Sequence, residues 1–329
     1  PKNTWAYHIQ PGNFGKGTAY AVFDGHAQND FKPYAYKTTD FGLTWTSVIS
    51  KDVHGFAKHI LEDLENENLL FLGTELGLFV SIDGGKNWSK FTNNMPSASV
   101  HYMAMHPKTN DLVLATHGRG IIIIDDISPL RQIRPEILNE EVYFLKSPPM
   151  VMWEESDFGG SSQAVTFVGP NPDKSGKIIY YLKKRHTFGA MTLEIFDDNG
   201  KKITSLDPGK QKGINIVGWS FTGKAPKVAK GKTFSFGGFG APRVPAGTYK
   251  VVMKKGKEQF ETTLELVYDE RAGISLESRK AQGKMAKELF DMTQDLAYLV
   301  YQVDSYLDYA EKIKASDPKS SKSMTAFIN

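Results

Sequence analysis

The sequence predicts a mainly β protein: the last blades of a β-propeller, then a β-sandwich and a long C-terminal α-helix. Three observations carry this prediction. A tryptophan-containing turn motif occurs twice at a spacing of 43 residues, which fits one four-stranded blade. Short alternating segments with turn signals fill the middle of the chain. An apolar series that steps by three and four residues fills the last part.

The repeated motif reads Ser/Thr-x-Asp-x-Gly-x-x-Trp and covers residues 38–45 and 81–88. Its aspartate is expected to accept hydrogen bonds from turn amides, its glycine to take a positive φ, and its tryptophan to anchor the return strand in the core. The residues with these roles are Asp40, Gly42, Trp45, Asp83, Gly85 and Trp88. The second copy departs from the pattern by carrying Asn87 where Thr or Ser is usual.

Residues 1–130 are predicted to form three blade-like units. The third copy of the motif has decayed to Ile124-Asp125-Asp126, and Pro129 soon after it argues against a fourth strand. Three blades do not close a ring, and bare sheet edges invite aggregation. We therefore expect the remaining blades to lie upstream in a longer polypeptide or on another chain, since this sequence opens at Pro1 without an initiator methionine or signal segment.

Composition excludes several classes of protein. The 329 residues include 40 basic and 37 acidic side chains, a net charge of +3, which is too balanced to indicate a nucleic-acid partner. The sequence has no apolar run long enough to predict a membrane span. It has no cysteine, so disulfides and thiolate metal sites are excluded.

The rest of the chain is predicted to contain a proline-interrupted linker at 131–150, a sandwich at 151–270, a long amphipathic helix at 275–315 and a polar tail at 316–329. Ser275 is the expected helix N-cap. The helix has a heptad seam of apolar residues, which favours a partner helix along 285–313. An alternative remains open, in which the helix lies alone on the sandwich.

Polar residues cluster in the turns between second and third strands and in the connections between units. In a propeller these segments share one rim, where loops on a rigid scaffold carry function. The candidate residues are Asp24, His26, Asp30, His54, Glu75, His117 and Arg119.

Three interpretations of these rim residues stay open. Asp24 or Asp30 paired with Glu75 can act as acid and base in glycoside hydrolysis. His26, His54 and His117 with an aspartate can hold a divalent metal, the one cofactor that the residues suggest. The residues can also bind a ligand, or can bond nearby amides and have a structural role alone.

Several stretches resemble a family of large bacterial proteins described as BNR-repeat (Asp-box), sortilin-like glycosyl hydrolases. They include the two motifs and the segments at 32–38, 73–78 and 115–120, and the resemblance covers nearly the whole chain. Residues 213–219 and 245–249 resemble the Ig-like module of such proteins. The resemblance implies that the chain is the C-terminal part of an exported propeller protein with an Ig-like sandwich.

The resemblance implies little about activity, because the Asp box is a structural turn in every family that has it. We expect an exported propeller that binds a polypeptide or glycan at its rim, with the Ig-like and helical modules serving attachment or assembly. The alternative is an exported glycoside hydrolase that uses the rim carboxylates. A metal-dependent hydrolase acting through the histidines is a third possibility.

Overall fold

The computed structural model describes residues 1–2, 4–154, 173–229, 240–317, 319 and 321–328. In these residues the chain is mainly β, with several small antiparallel sheets and a C-terminal helix, which confirms the predicted class. It divides into two compact units, Pro1–Lys146 and Ser147–Asn329. Within the predicted sandwich, the sequence also predicts a strand at 164–168 and an aromatic-rich loop at 234–240; the strand and all of the loop except Gly240 lie outside the described residues.

The first unit begins with three antiparallel sheets in which each strand pairs with the next one along the chain. The first sheet contains β1 (Trp5–Pro11), β2 (Ala19–Gly25), β3 (Asp30–Thr38) and β4 (Thr46–Ser47). The second contains β5 (Ala57–Glu62), β6 (Leu70–Thr74), β7 (Gly77–Ser81) and β8 (Ser89–Lys90). The third contains β9 (Ser99–Met105), β10 (Leu112–His117) and β11 (Ile121–Ile124).

These sheets stack face to face around two apolar cores. Tyr20 and Val22 of the first sheet pack with Ile60 and Leu72 of the second. On the other face of the second sheet, a second core joins Phe71 to residues of β9 and β10. Because both faces of the second sheet are covered, every residue of β5 and β6 is buried.

The two repeat turns close by the same hydrogen bonds. Asp40 accepts from the Thr44 amide at 2.9 Å, and Asp83 accepts from the Asn87 amide at 2.9 Å. The Asn87 side-chain amide replaces the usual hydroxyl and donates to the Asp83 carboxylate at 2.7 Å. Gly85, at a φ of +90°, is also needed sterically, because a Cβ there would lie 2.8 Å from the Cβ of Val48.

The two motif tryptophans differ in environment. Trp88 is 4% exposed, and its indole Nε1 donates to the Val48 carbonyl of the preceding sheet at 2.7 Å. Trp45 is 41% exposed, and its Nε1 donates to the Gly42 carbonyl within its own turn at 3.1 Å. The expectation of a core anchor is therefore wrong for Trp45. A motif tryptophan is buried by the preceding sheet, as Trp88 is, and the structure describes no sheet that precedes the first one.

After the third sheet the chain forms a short helix, α1 (Ser128–Gln132), with Pro129 in its first turn. Arg131 ties this helix to the second sheet: its Nε donates to both carboxylate oxygens of Asp63, at 2.9 and 3.0 Å. Its Nη1 donates to the Asn110 side chain at 2.8 Å. Strand β12 (Val142–Phe144) completes the first unit.

The second unit contains a five-stranded sheet and a further antiparallel strand pair. Its strands are β13 (Met150–Met152), β14 (Gly176–Leu182), β15 (Met191–Phe196), β16 (Lys202–Leu206), β17 (Gly213–Trp219), β18 (Gly247–Lys255) and β19 (Glu258–Tyr268). The sheet order is β13-β19-β18-β15-β16, and β14 pairs with β17. Trp219 of the pair meets Tyr249 of the sheet at a ring-centroid distance of 5.3 Å, so side chains from both pack together.

The C-terminal helix α2 (Leu276–Ser316) has 41 residues. Ser275 is its N-cap, as predicted, and its side chain accepts from the Ser278 amide at 3.1 Å. Within the predicted polar tail, α3 (Ser321–Ile328) forms a second helix that packs against α2. Neither helix is long and apolar enough to cross a membrane, and the same holds for every other helix in the described ranges.

Candidate functional site

The three N-terminal sheets bring the same strand ends together at one edge. Trp5 at the start of β1 pairs with Asp24 near the end of β2. Ala57 at the start of β5 pairs with Thr74 at the end of β6, and Ser99 at the start of β9 pairs with His117 at the end of β10. The predicted rim residues follow these ends, so the strand order places them on one edge of the stacked sheets.

A buried ion pair lies at the centre of this edge. The Asp24 carboxylate accepts from Lys58 Nζ at 2.6 Å, from the His26 amide at 2.9 Å and from His26 Nδ1 at 2.7 Å. Burial raises the pKa of Asp24, but the hydrogen bonds from Lys58 and His26 outweigh burial and hold that pKa below its usual value. Asp24 is therefore an ionised anchor for its two neighbours rather than a proton donor.

Aromatic and imidazole rings extend from this ion pair across all three sheets. Phe56 lies against His26, with ring centroids 4.7 Å apart, and against Phe31 at 6.2 Å. Lys58 Nζ lies 4.8 Å from the Phe56 ring and 4.3 Å from the Tyr7 ring. We call this set the ring cluster, and it comprises Tyr7, His26, Phe31, Phe56, His101 and His117.

The third sheet contributes the far end of the ring cluster. His101 meets Tyr7 edge to face at 6.4 Å and stacks on His117 at 5.3 Å. Burial, Lys58 and His117 together lower the pKa of His101. The ring cluster thus consists of two groups of rings that Lys58 bridges through Phe56 and Tyr7. Phe56 is its buried member, while His26, Phe31 and His117 remain exposed.

The other predicted rim residues lie outside this network. Asp30 accepts from the Tyr34 hydroxyl at 2.7 Å and from the Lys32 amide at 3.2 Å, and these bonds lower its pKa. Glu75 lies beside the connection between sheets, where its amide donates to the Phe56 carbonyl at 3.1 Å. His54 and Arg119 are exposed.

The histidines do not assemble into an evident metal site. In the ranges that the structure describes, no three His, Asp or Glu side chains are grouped so that they could hold one ion. His26 instead directs Nδ1 to Asp24 and packs its ring face on Phe56.

A second group of rings lies further along the inner strands. His59 of β5 is buried, and neither of its ring nitrogens has a hydrogen-bond partner among the described residues. His8 lies 4.0 Å from its ring centroid and Tyr102 4.4 Å. Burial, with a smaller contribution from His8, lowers the pKa of His59 to about 3.

We predict that His59 makes the first unit acid-sensitive. The pKa of His59 in the folded state is lower than the unfolded value of about 6.5. Above about pH 6.5 the imidazole is therefore neutral in both states, and its protonation does not reduce the free energy of unfolding. Below that pH the unfolded state binds a proton that the folded state excludes, so the free energy of unfolding falls by about 1.4 kcal/mol per pH unit until the folded pKa is reached.

His59→Phe keeps an aromatic ring in the stack and is expected to remove this slope. Urea unfolding at several pH values between about 7 and 5, where most carboxylates stay ionised, measures the effect. His186→Phe is the matched control, since His186 is only half-buried and its ring nitrogen bonds the Gly189 carbonyl of its own loop. An unchanged slope in His59→Phe would show that the buried imidazole is not the titrating group.

Sequence reasoning missed five members of this site: Tyr7, Phe31, Phe56, Lys58 and His101. A signal for Lys58 was present, since the segment 57–62 carries Lys58, His59 and Glu62 among apolar residues. Charged residues are rarely buried without a partner, so a lysine in a buried strand indicates a nearby carboxylate. The ring contacts have no comparable signal, because they join residues of different sheets.

No protein-family model and no curated protein matches this chain. Among solved structures, an ancestral GH74 enzyme is 18% identical with a TM-score of 0.29, over 35% of this chain and 14% of its own. A GH74 enzyme of Niastella koreensis is 14% identical with a TM-score of 0.32, over 79% of this chain and 38% of its own. YCF48 bound to a D1 peptide is 17% identical with a TM-score of 0.28, over 38% of this chain and 37% of its own.

The chain thus spans less than two fifths of the length of each of these structures. At such TM-scores the likeness says nothing about activity.

Proposed function

We propose that this chain is part of a β-propeller protein that binds a polypeptide or a glycan at the rim formed by the ring cluster. The observation that carries the proposal is a set of rings, contributed by all three N-terminal sheets and bridged by Lys58 of the buried Asp24–Lys58 pair. Exposed rings offer stacking surfaces to sugars and to peptide side chains. A fixed ion pair beneath them orders these rings before a ligand arrives.

Binding is favoured over glycoside hydrolysis by the state of the rim acids. A general acid needs a raised pKa, whereas the pKa values of Asp24 and Asp30 are both lowered by hydrogen bonds. Both carboxylates also accept turn amides, from His26 and Lys32 respectively. Such hydrogen bonds to turn amides hold loops in place. The rings, rather than these carboxylates, are therefore proposed to contact the ligand.

The proposal includes further blades. Large apolar side chains are exposed in the first and third sheets and their turns, whereas every residue of the inner strands β5 and β6 is buried. They include Phe41, Leu43 and Trp45 in the turn between β3 and β4, and Ile121 and Ile123 in β11. Such surfaces are suited to additional sheets of the same kind, and one of these sheets would pack on Trp45 as the first sheet packs on Trp88.

The second unit is proposed to be an Ig-like sandwich that, with α2, serves attachment or assembly. The pairing of β14 with β17 and the packing of Trp219 on Tyr249 support two sheets that share a core. Export is proposed on the family resemblance alone, and fractionation of the native cells tests it.

Ligand binding is tested with labelled full-length chain on glycan and peptide arrays. The Phe31→Ala/His117→Ala variant removes one exposed ring from each end of the ring cluster and leaves Asp24 and Lys58 in place. We expect signals of the wild-type protein to fall at least about 10-fold in this variant, which corresponds to about 1.4 kcal/mol. The matched control removes the same two ring types from the second unit, as Phe188→Ala/His186→Ala. Equal signals from all three proteins would contradict binding at the ring cluster.

A further inference from the structure

An apolar stripe that no other described part of the chain covers runs along the long C-terminal helix. Seven residues spaced alternately by four and three positions form it, and their side chains are 52–66% exposed. We call them the α2 stripe: Met285, Leu289, Met292, Leu296, Leu299, Val303 and Tyr306. At about 1.5 Å per residue the stripe is about 30 Å long. This spacing is typical of the interface between two packed helices. The exposed stripe residues therefore have the pattern that would interlock with side chains of a partner helix.

One end of the same seam is already covered. The next members, Ala310 and Ile313, are buried and half-buried where α3 packs against α2. Only 317–320 separate the two helices, a connection short enough to place them antiparallel. The α2 stripe therefore continues an existing helix–helix interface along the line that α3 has begun.

The charges on α2 indicate the character of the missing helix. From Glu288 to Glu311 the sequence contains six acidic residues and no lysine, arginine or histidine. They are Glu288, Asp291, Asp295, Asp304, Asp308 and Glu311. Lys284 and Lys287 pair with Glu288 and Asp291 at the start of this segment, and it has no basic residue for the rest of its length. Glu288 and Asp295 directly precede stripe residues, at positions that border a helix seam.

A second α2 is a poor fit to this surface. The helix has nine residues before Met285, while α3 lies over the opposite end of the seam. An antiparallel second α2 aligned with the stripe would place its first residues where α3 lies. A parallel second α2 would place its C-terminal end, with its own α3, in the same position.

We propose that the α2 stripe docks a basic amphipathic helix, antiparallel to α2 and in line with α3. The partner presents apolar residues at heptad spacing and flanks them with lysine or arginine. This proposal specifies the assembly role suggested above for α2. It depends on no residue of the ring cluster, so rim variants leave it unaffected.

The probe is a synthetic peptide about three heptads long, with leucine at the two seam positions and lysine at the flanking ones. The matched peptide carries glutamate in place of every lysine. Fluorescence anisotropy with the full chain is expected to show binding of the lysine peptide at least about 10-fold tighter than that of the glutamate peptide. Leu296→Asp is expected to abolish binding, and Tyr301→Asp, an exposed substitution off the stripe, is expected to preserve it.

Each other outcome overturns the proposal. Equal affinity for the two peptides excludes charge complementarity, and binding that survives Leu296→Asp places the peptide elsewhere. A dimer in light scattering that Leu296→Asp converts to a monomer identifies a second copy as the occupant. Far-UV circular dichroism is the control that checks whether both variants keep their helix content. The Phe31→Ala/His117→Ala variant is expected to bind the lysine peptide as the wild-type protein does. This measurement distinguishes failure of the helix-docking proposal from failure of ligand binding at the rim.

Discussion

Trp88→Ala is expected to lower the free energy of unfolding of the first unit by about 3–5 kcal/mol, the usual cost of deleting a buried tryptophan. The side chain is 4% exposed and belongs to the core between the first and second sheets. Its removal also leaves the Val48 carbonyl without the indole donor. Urea unfolding of the full chain measures the loss.

The repeat supplies the matched control. Trp45→Ala alters the same motif position in the first sheet, where the side chain is 41% exposed and bonds only its own turn. We expect a loss of about 1 kcal/mol or less, as for other surface substitutions. Each variant keeps four of the five tryptophans for fluorescence detection. Equal losses would mean that the face of the first sheet is covered in solution.

Arg131→Met is expected to destabilise the first unit by a similar amount, about 3–5 kcal/mol. Asp63 is fully buried, and Arg131 supplies its charged partner. Removing the arginine leaves that carboxylate inside the protein with, among the described residues, only the turn amides of Glu65 and Asn66 as donors. The loss should appear in urea unfolding as a lower midpoint with an unchanged slope.

Two further variants separate charge from packing. Arg134→Met removes an exposed arginine from the adjoining segment and should change stability by less than about 0.5 kcal/mol. Asp63→Asn added to Arg131→Met removes the uncompensated charge and should recover part of the loss. No recovery in the double variant would show that Arg131 acts through its apolar stem and not through the ion pair.

The sequence was most informative where the structure is local. The two repeat turns depend on an aspartate, a glycine and a hydroxyl or amide within eight residues, and the Ser275 cap depends on the next few residues. The spacing of strands and the heptad series of α2 are likewise properties of short segments. These parts of the fold were predictable because the residues that stabilise them are neighbours in the chain.

The candidate site was only partly predictable, since its contacts join distant segments. Asp24 and His26 were recognised as rim residues, but their state depends on Lys58, which is 34 residues away from Asp24. Trp45 and Trp88 have the same motif and different burial, because burial depends on whether another sheet lies beside them. Helix α3 was missed because its eight residues, half of them polar, have too short an apolar pattern to be recognised.

The central claim is that rim rings bind a ligand while rim acids fix the loops. The most direct test measures the affinity of an array-identified ligand for two variants, Phe31→Ala/His117→Ala and Asp30→Asn/Glu75→Gln. We predict a loss of at least about 10-fold for the ring variant, a change below about 2-fold for the acid variant, and an intact ligand by mass spectrometry after incubation. Cleavage of a glycan by the wild-type protein that the acid variant abolishes would contradict this account and establish a glycoside hydrolase.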